Sequence, residues 1–139
     1  MILLDTNVLS ELMRANASQQ VIQWLDQQVT STLHICAITR AEIELGICLL
    51  PDGKKKDSLK SAARDMLDEF SGRCLSFDES SAIIYAQVVA DRRAAGHPVS
   101  VEDAQIASVA ITHHLTLATR NTTDFTCIDK LAIINPWDQ

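Results

Sequence analysis

A chain of 139 residues, 47% of them hydrophobic and 22% charged, has the size and composition of one globular domain over residues 1–139 and needs no disulfide to hold its core. A formal net charge of −6 excludes a protein that coats nucleic acid through Lys and Arg, though not one that meets phosphates through cations held on carboxylates. No basic segment precedes the first apolar run, and no stretch nears the roughly 18 apolar residues of a membrane span, so neither a signal peptide nor a membrane segment is expected. Cys36, Cys48, Cys74 and Cys127 show no C-x-x-C spacing and read as small buried residues kept reduced in a cytoplasmic protein.

Residues 1–4 form a wholly apolar run, as in a strand buried on both faces. Asp5-Thr6-Asn7 breaks it with three polar side chains. A helix is predicted over 18–29, with Val21, Ile22, Trp24 and Leu25 as its apolar stripe, then a strand over 33–38. Thr39 opens a helix that ends near Pro51-Asp52-Gly53, and 54–70 is amphipathic with Gly72 as its stop. A short strand over 73–77 leads to a helix over 78–95, capped by Asp78 and ended by Gly96-His97-Pro98. A helix over 100–114, a strand over 115–118 and a last strand over 131–134 complete the chain ahead of Asn135-Pro136-Trp137. Short apolar strands alternating with helices predict an α/β fold in three layers, a mainly parallel central sheet between two sets of helices. In such sheets ligands lie beyond the carboxyl ends of the strands.

Four acids fall there. Asp5 ends the first strand, Glu42 lies one turn into the helix after the second, Asp103 sits in the first turn of the helix from Ser100, and Asp124 follows the strand over 115–118. Converging carboxylates suit Mg²⁺ or Mn²⁺, hard ions that take oxygen ligands and keep several waters. Each acid also has a structural reading. Thr39-x-x-Glu42 and Ser100-x-x-Asp103 fit the capping box that starts helices, Asp124 could cap a turn, and Asp5-Thr6-Asn7 could be a polar loop. Spacing alone leaves both readings open. His34, His97, His113 and His114 show no nucleophile–base arrangement, and the glycines form neither a phosphate-cradling nor a dinucleotide loop.

At these residues the sequence resembles the PIN-domain nucleases, specifically the VapC toxins of bacterial toxin–antitoxin pairs. Leu3-Leu4-Asp5-Thr6-Asn7-Val8 is similar to the family's opening signature. The run from Ala37 through Glu42 to Gly46 is similar to its second block, Val101-Glu102-Asp103-Ala104-Gln105-Ile106-Ala107 to its third, and the run from Ala118 to Phe125 to its last. Phe77-Asp78-Glu79, Ile84-Tyr85-Ala86-Gln87 and Asn135-Pro136-Trp137 bring it near the FitB-like members. The resemblance implies an α/β/α PIN-like fold and Mg²⁺- or Mn²⁺-dependent hydrolysis of RNA by Asp5, Glu42, Asp103 and Asp124. Asp5 and Asp103 would be the direct metal ligands, with Thr6, Asn7, Thr119 and Asn121 orienting ligands or water; some members carry the last acid at the position of Asn121. It further implies a homodimer and a cognate antitoxin that blocks the site and carries any contact with operator DNA.

Lys54-Lys55-Lys56, Lys60 and Arg64, and separately Arg92-Arg93, could meet RNA, but such runs are more often solvated helix faces. Trp24 and Trp137 read as packing residues before base-stacking ones. Two rival functions stand beside the nuclease. One is a catalytically silent PIN-like module acting through antitoxin and operator DNA. The other is a phosphatase with Asp5 as nucleophile, against which Asn7 stands where such enzymes want a second aspartate.

Overall fold

In the computed structural model, which describes residues 1–139, the opening apolar run becomes the central strand of a five-stranded sheet. This strand, β1 (Ile2–Leu4), pairs with β2 (Leu33–Cys36) on one side and β4 (Thr116–Ala118) on the other. The edges are β3 (Cys74–Leu75) and β5 (Ile133–Ile134), giving the order β3-β2-β1-β4-β5 with every pairing parallel. Seven helices connect and cover it: α1 (Thr6–Leu12), α2 (Gln19–Asp26), α3 (Ala37–Cys48), α4 (Lys54–Asp68), α5 (Glu79–Ala94), α6 (Val101–Thr112) and α7 (Thr122–Phe125).

The three-layer arrangement follows from strand alternation. Successive residues of β1 face opposite sides: Leu3 joins a core with Ile106, Val109 and Phe125, and Leu4 joins a second core with Val8, Val21 and Trp24. β4 repeats this, with Leu117 in the first core and Ala118 in the second. The first core is covered by α5, α6 and α7, the second by α1 to α4. A sheet buried on both faces requires strands without a polar side, hence the continuous apolar runs. No helix is long and apolar enough to cross a membrane.

The sequence reading differs from the structure in several places, among them the helices α1 and α7, which it did not predict. Asp5-Thr6-Asn7 is not a loop: Asp5 is the N-cap of α1, accepting the Thr6 N–H at 2.8 Å, and the helix starts at once. β2 stops at Cys36 and α3 begins at Ala37, so Thr39 lies inside the first turn and Thr39-x-x-Glu42 is not a capping box. At α6 only half a box forms, the Ser100 hydroxyl accepting the Asp103 N–H at 3.2 Å. Of the four cysteines only Cys36 is buried; Cys48, Cys74 and Cys127 are exposed and all are unpaired. The stop after α5 is as read: Gly96 takes φ +76°, and the N–H of His97 reaches back to the Arg92 carbonyl at 3.0 Å.

Candidate active site

The carboxyl ends of β1 and β4 are locked together by the Asp5 N–H, which donates to the Ala118 carbonyl at 2.9 Å. The next residue on each strand therefore faces the other. Asp5, 4% exposed, accepts the Thr119 hydroxyl on Oδ2 at 2.7 Å and the Asn7 amide on the same oxygen at 3.3 Å. Asn7 Nδ2 also donates to Thr119 Oγ1 at 3.1 Å. Its Oδ1 accepts the Arg120 N–H at 3.1 Å, so one side chain stitches α1 to the segment after β4.

A cleft of about 440 Å³ opens above this junction. Asp5, Thr6 and Asn7 form its floor, Glu42 comes from α3, Asp103 from α6, and Arg120 and Asn121 from the segment after β4. Glu42 is oriented by the Thr6 hydroxyl, which donates to its Oε1 at 2.7 Å. Three of the four expected acids thus share one cleft. Asp124, exposed on α7, lies outside the lining, but its charge still acts on both Asp5 and Asp103. Glu102 is exposed and outside the cleft, so the structure presents Asp103, and not its neighbour, to the site.

The acids press on one another. Burial first, then the charges of Asp5, Asp124 and Glu42, together push the Asp103 carboxyl from 3.8 up to about 6, against a hydrogen bond from Ser100 that lowers it. Asp5 is also raised by burial, with the bonds from Thr119, Thr6 and Asn7 pulling it back. Such a cleft favours whatever brings positive charge into it. Its donors are carboxylate, amide and hydroxyl oxygens, with no Cys or His among the lining residues. That set suits a hard divalent cation and not a soft one. No three His, Cys, Asp or Glu side chains close into a ready-made cage. Mg²⁺ characteristically binds through one or two carboxylates and retains water, so the open arrangement fits it.

With this geometry in view, the relatives are informative. The sequence profile of the PIN domain matches residues 2–131. The chain belongs to the PIN-domain family. Toxin FitB of Neisseria gonorrhoeae is 44% identical over 138 residues, 99% of each chain. VapC ribonuclease Y4jK of Sinorhizobium fredii is 37% identical over 139 residues, again 99% of each. Among solved structures, FitAB bound to an IR36 DNA fragment matches with a TM-score of 0.90 at 43% identity, over 99% of this chain and 96% of that one.

This PIN domain also brings to the cleft residues that were not singled out from sequence: Ser10 and Glu11 of α1, Arg14 of the turn after it, and Arg120. Glu11 is 4% exposed and fully engaged, taking Arg14 Nη1 on both oxygens at 3.1 and 3.0 Å and the Ser18 N–H at 3.3 Å. It ties α1 to the start of α2 and has little left for a cation. These side chains became visible only once residues 6–12 were known to be a helix, which puts Asn7 and Glu11 on one face, with Arg14 brought to Glu11 by their ion pair. Trp24 is a core residue, whereas Trp137 is only half-buried and lines the cleft. Among the basic residues considered, Lys56 pairs with Asp52 at 3.4 Å and Arg92 donates to the Thr126 carbonyl at 2.7 Å, both serving local structure. A nucleophilic aspartate would need an exposed carboxylate, and Asp5 is 4% exposed.

Proposed function

We propose that this chain is the toxin of a toxin–antitoxin pair, an endoribonuclease that hydrolyses RNA phosphodiesters with Mg²⁺ or Mn²⁺ and is silenced by a cognate antitoxin. The observation that carries this reading is the convergence of Asp5, Glu42 and Asp103, from three separate segments, in one oxygen-lined cleft at the carboxyl ends of the strands. Kinship with a VapC ribonuclease and with toxin FitB supports it. Asp5 and Asp103 are the direct ligands in this reading, with Glu42 and Asp124 completing the acidic field. A divalent ion bound there supplies positive charge to the scissile phosphate and to the attacking water. The chain's own contribution is to hold those acids in place: Thr119 and Asn7 orient Asp5, Thr6 orients Glu42, and the Ser100 cap holds the backbone of Asp103. Asn121, whose N–H donates to Thr119 Oγ1 at 3.1 Å, keeps that hydroxyl aimed.

The partners follow from the same reading. A solved relative is FitAB bound to DNA, so an antitoxin is the expected partner and operator DNA is reached through it. A homodimer in the cytoplasm, built from residues 1–139 as one domain, completes the proposal. Leu45 on the last turn of α3 and Leu49 at its C-cap, 58% and 75% exposed, are apolar surface of the kind self-association covers.

The rival, a silent module acting only through antitoxin and DNA, draws on one observation, that no three acids close into a cage. Antitoxin-free protein incubated with total RNA and Mn²⁺, with Asp5→Ala alongside, separates the two. Cleavage by the wild type and none by the variant supports the nuclease. An inert wild type that still binds antitoxin supports the silent module.

A further inference from the structure

Within an otherwise acidic cleft, Arg120 is a cation without a carboxylate partner. Arg14, the other arginine there, is neutralised by Glu11. Arg120 instead lies over the ring of Trp137, its guanidinium carbon 5.1 Å from the ring centroid. Both ends of this pair are anchored. The Arg120 N–H is held by Asn7, the residue that also bonds Asp5 and Thr119. Trp137 packs on the edge of the second core, and its N–H donates to Asn135 Oδ1 at 3.0 Å. An arginine with one face against a ring keeps its in-plane N–H fork for a ligand, and that fork matches the two oxygens of a phosphate. The cleft that holds the carboxylates repels a polyanion, so a strand entering it needs a fixed cation at the rim.

We propose that Arg120, oriented by Trp137, binds a non-scissile phosphate of the RNA strand beside the carboxylate cleft. This rests on the ribonuclease reading. Arg120 touches the substrate; Trp137 is a positioning residue that acts through it. Asn7 links both to the acids, so gripping the flanking phosphate sets the register of the scissile one.

The test uses the full chain, free of antitoxin, as wild type, Arg120→Ala, Arg120→Lys, Trp137→Phe, Trp137→Ala and the double alanine variant. Cleavage of a fluorogenic single-stranded RNA with Mn²⁺ is followed across a salt series, and binding of a fluorescein-labelled RNA is measured by anisotropy with Ca²⁺ in place of Mn²⁺. Arg120→Ala is expected to raise KM and Kd about tenfold and to make the dependence of log Kd on log salt shallower by about 0.7, one phosphate contact on a single strand. Arg120→Lys recovers only part of the loss, because the fork is gone. Trp137→Phe stays near wild type. Trp137→Ala weakens binding, and the double variant is no worse than Arg120→Ala, the coupling expected of a residue that acts through its partner.

Wild-type Kd and salt slope in Arg120→Ala overturn the proposal, as does a fall in kcat alone. Unchanged RNA binding with lost antitoxin capture overturns it in favour of a carboxylate on a protein partner. If the wild type does not cleave, the nuclease reading fails by itself, and the anisotropy arm still decides whether Arg120 holds RNA. Should Trp137→Ala fail to fold, Arg120→Ala, exposed at the rim, and Trp137→Phe carry the result.

Discussion

Replacing Asp103 with asparagine should abolish cleavage and yet make the metal-free protein more stable at neutral pH. The Asp103 carboxyl is raised from 3.8 to about 6, by burial first and then by the Asp5 charge. A group whose pKa is higher folded than unfolded contributes stability that is complete below the unfolded value and is lost as pH rises through the folded one. The window here runs from 3.8 to about 6. For a fully buried group that gap corresponds to about 3 kcal/mol; Asp103 is half-buried, and screening by water brings the working figure to about 1 kcal/mol. The amide carries no charge, so the variant escapes the loss. Its advantage should be near zero at about pH 4 and about 1 kcal/mol at roughly pH 7.5, a Tm higher by about 3 °C in a chain of this size. Thermal unfolding in EDTA at stepped pH, with RNA cleavage measured on the same preparations, reads both effects. A variant no more stable than wild type above pH ~6 would refute the argument, because burial and the neighbouring charges would then not be disfavouring the Asp103 carboxylate. Asp5→Asn also sheds a carboxylate that burial disfavours, but there the gain is offset. Its new amide would face the Asn7 amide where Oδ2 now accepts it, costing about 1 kcal/mol.

Thr6→Val removes the donor that aims Glu42 and should lower cleavage at least about tenfold, with Thr6→Ser restoring it; equal rates for all three would separate Glu42 from the chemistry. Mn²⁺ at about 100 times its Kd should stabilise the wild type by about 2.7 kcal/mol at neutral pH. The effect should shrink below pH ~6 as Asp103 takes up its proton, and isothermal titration in that range checks the coupling. Leu117→Ala, at a fully buried position in the first core, should cost about 2–5 kcal/mol in urea unfolding; a smaller loss would mean that helices and sheet close over the gap.

The fold was legible because burial on both faces leaves an unmistakable mark. Leu3, Leu4 and Leu117 are apolar without alternation, and only a sheet covered twice asks for that. What escaped was short or changed structure abruptly. α1 starts on the residue after β1, so no stretch of sequence separates a strand period from a helix period, and Asp5 looked like a break when it was a cap. The edge strands β3 and β5 were read two to three residues too long. Each has a neighbour on one side only, so apolar flanks such as Phe77 and Leu131 pack on the core without extending the ladder. At the site, the acids were visible from their positions at strand ends and helix starts. Arg120 was not, since nothing in the sequence sets Trp137 beneath it across the intervening chain.

Capping and chemistry, which looked like competing explanations for the acids, share them. An ionised aspartate offers about four lone-pair sites. Asp5 gives three to Thr6, Asn7 and Thr119, and the unspent one lies on Oδ1, the oxygen that caps α1. Asp103 divides the labour differently: the Ser100 hydroxyl caps the helix by accepting the Asp103 N–H, so the carboxylate of Asp103 has no capping duty. Glu42 is relieved of any capping duty because α3 begins at Ala37 with Cys36 as its N-cap, three residues ahead of a helix capped by Thr39. The helix starts therefore fix where each acid's backbone lies while leaving oxygen for a ligand. That rigidity has a consequence. Burial and the fixed neighbouring charges thus remain in the folded protein as the raised pKa of Asp103 until a cation enters the cleft.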